Sequence, residues 1–137
     1  MVAVGDDGLT VSAYLSWRDL DHPPALAVLD EDIIAVEAQY VGPGAHASLR
    51  LAEWTGALLA SLPPGCRILR PLATTWRARV LRRARMGRKE AKRAAIAACV
   101  AHSSGLPAGV SALPDVAEAW CMARYAWGAE RAGVASW

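Results

Sequence analysis

Only three cysteines occur, Cys66, Cys99 and Cys121, and no two are spaced as CxxC. That excludes a CxxC redox motif and the paired thiols of common zinc sites. The odd number and wide spacing are those of buried free thiols in a reducing compartment. The three histidines, His22, His46 and His102, are equally scattered and give no zinc-ligand spacing. His46, nine residues after Glu37, is a minor candidate for substrate contact. No apolar run reaches the ~18 residues of a membrane span, and "MVAVGDDG" has no basic region leading into an apolar core. The expectation is a cytoplasmic protein with no membrane partner. GxxxxGK[ST], GxGxxG and GxSxG are all missing, which argues against P-loop, Rossmann and serine-hydrolase chemistry.

What is present describes one globular domain over residues 1–137, with 54% hydrophobic and 20% charged residues and no low-complexity block. Net charge is only +2, yet the charges are segregated. Residues 1–37 hold eight acids and one base, whereas 67–93 hold eleven bases and one acid, Glu90. Such a basic block in a nearly neutral chain points to a polyanion. The plainer alternative is a solvated basic helix face.

Along the chain, "LTVSAYL" after the turn signal "GDDG" predicts a β-hairpin over 2–15 with its turn at Asp6 to Gly8. Ile33 to Val36 is a continuous apolar run, as in a strand covered on both faces, and Glu37 stands at its end. Leu49, Ala52, Trp54, Leu58 and Leu59 follow helical spacing and stop before "PPG". Leu51, Trp54 and Leu58 form a candidate dimer surface, although core packing explains them equally well. "CRILRPL" reads as a short strand. The span from "ATTW" reads as a loop and a basic helix, with Gly87 breaking it to leave "RKEAKRAAIAACVAH" as the longer helix. A last helix is expected from Pro114 to Trp127, before Gly128. Strands interspersed with helices indicate an α/β layer fold.

Asp115 and Glu118, at i and i+3, share one face of that last helix and can converge on one ion. Glu37 ends a central strand, where open α/β sheets place their sites. Oxygen-only clusters suit Mg²⁺ or Mn²⁺, and paired ions can drive phosphodiester cleavage. Without such an ion, Asp115 would simply complement the helix dipole and Glu118 would be solvated. Arg77, Arg79, Arg82, Arg83, Arg85, Arg88, Lys89, Lys92 and Arg93 are candidate phosphate-binding residues, with the hydroxyls of Thr74 and Thr75 beside them. Trp76 could offer a stacking surface or belong to the core.

The ordered segments "IIAVEAQYVGPGAHASLRLAEWTGALL", "PLATTWRARVLRRARMGRKEAKRAA" and "DVAEAW" resemble the RuvC-type Holliday junction resolvases, especially their compact phage and bacterial forms. The resemblance covers about 2–127. It implies a ribonuclease H-like mixed sheet flanked by helices, a homodimer, and a carboxylate cluster that uses Mg²⁺, in two ions, to nick four-way DNA junctions. In its terms Glu37 matches the acid at the end of the central strand, and Asp115 and Glu118 match the acid pair of the final helix. Many members carry Asp where Glu118 stands. Thr75, Arg77, Arg79, Arg82, Arg83, Arg85, Arg88, Lys89 and Lys92 fall in the DNA-holding segment.

The front of the chain departs from the family, whose first strand carries an Asp followed by a Pro-Gly-type turn. In one alignment "GDDG" replaces that motif and Asp6 is the first acid. In the other, this segment is the later hairpin, and the first acid lies upstream of Met1. The separation of 31 residues between Asp6 and Glu37 leaves little room for two more strands and a helix, which favours the hairpin. The resemblance therefore implies either a junction endonuclease or a branched-DNA-binding protein of the same fold that does not cut. Other branched or RNA-containing duplexes are the third substrate class, because fold does not fix substrate.

Overall fold

A computed structural model describes residues 2–4, 11–14, 33–38, 45–107 and 109–133. β1 (Val2–Val4) pairs antiparallel with β2 (Val11–Tyr14), as the hairpin pattern predicts. The expected turn, with Asp6, lies outside the described residues. β3 (Ile33–Ala35) pairs in parallel with β4 (Arg67–Leu69). Four helices accompany them: α1 (Ala45–Ala60), α2 (Ala73–Val80), α3 (Arg88–His102) and α4 (Pro114–Arg131), with a 3₁₀ turn at Val110–Ala112. The protein is thus mixed α/β, and its described strands form two two-stranded sheets.

α4 is the central element: β1, β3, α2, α3 and the 3₁₀ turn all lie against it. Pro114 starts it at a position where a missing N–H costs nothing. The expected stop at Trp127 is overridden. The helix runs through Gly128 because Ala129, Glu130 and Arg131 are good helix formers and Ala126 and Ala129 are buried. Gly133, at φ 66°, accepts the left-handed turn that ends the helix.

The main core joins Trp76 of α2, Ala95 and Cys99 of α3, and Val116, Ala117, Trp120 and Cys121 of α4. Ala91, Ala95 and Cys99, four residues apart, make a stripe of small, wholly buried side chains that lets α3 lie close to α4. Trp76 and Trp120 are the largest fully buried side chains. Each contributes up to roughly 4–6 kcal/mol of apolar burial. Trp76 is therefore core and not a stacking platform. All three cysteines are buried free thiols, matching the sequence reading.

A second cluster joins Leu69 of β4 to Ala126 and Ala129 of α4, with Ile33 and Ala35 packed on it. The strand run was expected to be covered on both faces. Instead Ile33 to Ala35 are half-buried, because β3 has β4 as its described partner and α4 covers one side. The region read as a loop before the basic helix is also different, since Ala73 to Val80 already forms α2. Its anchor is Trp76, whose burial against α4 outweighs the low propensity of Thr74 and Thr75.

Candidate functional site

Glu37 is positioned by the parallel ladder. Beyond β3 the pairing continues, with the Val36 N–H donating to the Leu69 carbonyl (2.9 Å) and the Ala38 N–H donating to the Pro71 carbonyl (2.9 Å). Residues 33–38 stay extended, so Ile33, Ala35 and Glu37 alternate onto one face. That is the face that packs toward α4. The Trp76 indole N–H donates to Glu37 Oε2 at 2.8 Å, tying the carboxylate to the core from the far side of 39 residues of chain.

The acids of α4 stand nearby. Glu118 is half-buried, and its carboxyl is held above the ordinary range, first by desolvation and further by the negative charges of Glu37 and Asp115. Lys92 and Arg77 pull it the other way. The charges of Glu37 and Asp115 thus both reach Glu118. Lys92 Nζ donates to Asp115 Oδ1 at 3.3 Å and lies 3.9 Å from Glu118 Oε2. A side chain assigned to the phosphate-holding set thus spans the two acids assigned to metal. Among the described residues, no three of His, Cys, Asp and Glu come together closely enough to hold a metal ion. All three groups are nevertheless carboxylates, the donor type that hard cations take.

The other basic residues divide by surroundings. Arg79, Arg82, Arg85, Arg88, Lys89 and Arg93 are exposed, as are Thr74 and Thr75. Arg83 is exposed too, but pairs with Glu90 at 3.1 Å. Arg77 is half-buried. Its guanidinium carbon sits 5.2 Å from the centre of the Trp76 ring, and its buried Nε has no partner. Arg82 occupies the left-handed region at φ 57°, which costs a non-glycine residue about 1–2 kcal/mol. Arg88 and Lys89 stand in the first turn of α3, where cations oppose the helix dipole and Glu90 is the single acid. Thr74, Arg77, Arg85 and Gly87 line an open groove of about 480 Å³ between α2 and the start of α3.

Comparison with protein-family models, curated proteins and solved structures gave no match. Two features of the site have no local signature in the chain. Trp76 as the anchor of Glu37 and Lys92 as the partner of Asp115 meet across 39 and 23 residues, with no spacing signal to reveal them. His102 lies exposed in the last turn of α3, while His22 falls outside the described residues and the side chain of His46 is likewise not described. Of the candidate dimer residues on α1, Trp54 and Leu58 are half-buried. Among the described residues no helix is long and apolar enough to cross a membrane.

Proposed function

We propose that this chain is a metal-dependent nuclease of the ribonuclease H-like kind, related to the RuvC-type resolvases, that nicks four-way or otherwise branched DNA in recombination or repair. A cytoplasmic homodimer is part of the same reading. The observation that carries it is that Glu37, held by Trp76 at the end of a parallel strand, and Asp115 both act by their charge on the half-buried Glu118 of α4. An exposed basic surface on α2, α3 and their connection supports it, because polyanion binding gives a use to cations that oppose a helix dipole.

Glu37, Asp115 and Glu118 are the residues that would hold the divalent ions. The chemistry such ions would supply there is activation of a water and stabilisation of the departing 3′ oxygen of a phosphodiester. The chain's own residues do the rest. Trp76 fixes the Glu37 carboxylate through its indole N–H, and the core around Trp76 and Trp120 keeps bulk water from the inner side of Glu118. Arg85, Arg88 and Lys89 bind phosphates and set the position of the duplex without reading its bases.

The test is cleavage of a labelled four-way junction beside a matched linear duplex, with Mg²⁺ or EDTA. Symmetric, metal-dependent nicking of the junction is expected, abolished in Glu37→Gln with binding retained. Equal turnover by the variant would sink the assignment of Glu37. The second reading, a protein that binds branched DNA without cutting it, is favoured by one observation: Lys92 already spans Asp115 and Glu118. Salt-sensitive junction binding with no nicking would select it.

A further inference from the structure

Arg77 belongs to two places at once. It lines the open groove between α2 and the start of α3 together with Thr74 and Arg85, and its charge reaches Glu118 on α4. Its backbone also builds that groove. The N–H groups of Leu81 and Arg83 both donate to the Arg77 carbonyl, at 2.9 and 3.3 Å, and Arg82 between them takes the left-handed turn that ends α2. The chain reverses there and brings Ala84, Arg85 and Met86 back beside Thr74 and Arg77. The guanidinium stands 5.2 Å over the ring of Trp76, the residue whose N–H holds Glu37 at 2.8 Å. In that seat its Nε is buried without a partner. A buried donor on a cation costs stability until some group accepts from it. Glu90 lines the same groove, but its carboxylate is drawn to Arg83 at 3.1 Å.

We propose that Arg77 seats one backbone phosphate of a nucleic acid in this groove, on the side of Glu37 and Glu118. This rests on the reading of the basic face as a nucleic-acid surface. A guanidinium presents Nε and one Nη side by side, a fork matched to two phosphate oxygens. Because Nε is buried in the free protein, binding turns the fork from Trp76 toward the groove, where the phosphate accepts from the orphaned donor. Lysine, a point charge with no Nε–H, does not replace it. The exposed cations Arg79, Arg85, Arg88 and Lys89 then hold the duplex by charge, and Arg77 fixes which phosphate faces the carboxylates.

The experiment uses the full wild-type chain with a short DNA duplex as the probe, following arginine Nε–H groups by nitrogen-15 spectra and the Glu118 carboxyl by carbon-13. The Arg77 signal, assigned by its loss in Arg77→Lys, is expected to move and to saturate at the same DNA concentration as those of Arg85 and Arg88, with Glu118 moving alongside. In fluorescence anisotropy Arg77→Lys should bind the duplex about fivefold more weakly than wild type with an unchanged salt slope, since the charge is kept. Arg79→Lys, on the same helix but exposed, should lose less than about twofold. The wild-type spectra need no substitution beyond assignment, so they decide the matter even where Arg77→Lys is unstable. Saturation with the Arg77 signal unmoved overturns the inference and leaves the nucleic-acid reading standing. An unmoved Glu118 beside a responding Arg77 overturns the placement at the carboxylates. Equal losses in the two lysine variants overturn the seat as well, because charge alone would then explain binding. No binding of the duplex overturns the reading of the basic face and this inference with it.

Discussion

Replacing Trp76 by Phe tests whether the candidate site is anchored in the core. Trp76 is wholly buried, and its indole N–H donates to the Glu37 carboxylate at 2.8 Å. Two penalties follow. Shrinking a buried indole to a phenyl ring leaves a cavity worth roughly 1 kcal/mol. Removing a hydrogen bond to a charged acceptor costs about 1.5–3 kcal/mol, and the lower end applies because the bond is only part-buried. The sum is about 2.5 kcal/mol, large against a domain's usual 5–15 kcal/mol but not enough to unfold it. Urea unfolding followed by circular dichroism measures the total. A double-mutant cycle with Glu37→Gln isolates the pair, since Gln still accepts the N–H, but as a neutral group. The expected coupling is about 1 kcal/mol, with Glu37→Gln less damaging in the Trp76→Phe background than alone. A coupling below about 0.3 kcal/mol would refute the reasoning, for Trp76 would then be plain core and Glu37 would be placed by its strand alone.

Other consequences can be checked independently. Neutralising Arg85 and Arg88 together should lower the slope of log affinity for duplex DNA against log salt by about 0.9 for each phosphate that is no longer neutralised, measured by fluorescence anisotropy. Arg83→Gln should change it less, because Arg83 is engaged with Glu90 at 3.1 Å. Ala95→Leu forces a larger side chain into the tight seam between α3 and α4 and should cost about 1–3 kcal/mol by chemical denaturation. Burial pushes the Cys121 thiol up to about 12 from 9.0, with Cys99 and Glu118 adding to the effect. Above pH 9.0 the unfolded chain releases this proton while the folded chain keeps it. The resulting stability is thus fully present below 9.0 and declines as pH rises toward about 12. The urea midpoint of wild type should accordingly fall more steeply over that range than that of Cys121→Ala, and a parallel decline would contradict the burial argument.

Much of the architecture was legible along the chain because it depends on local rules. Alternation and the turn signal marked the hairpin strands. Pro114 marked the start of α4, and the helical spacing from Leu49 to Leu59 marked α1. The i, i+3 placement of Asp115 and Glu118 already put two carboxylates on one helix edge, and the segregation of charge already marked the basic surface. Gly128 misled for a physical reason: helix propensity is a weak term, and the burial of Ala126 and Ala129 on either side of it is stronger.

What tertiary structure alone decided is which groups meet. The sequence by itself determined the kinds of elements and where basic and acidic side chains concentrate, because those follow from periodicity and charge within a few residues. The fold brought Glu37 to Trp76 and set the ammonium of Lys92 between Asp115 and Glu118. Such pairings depend on how strand and helices pack, and no pattern within any one segment encodes the distance between two of them.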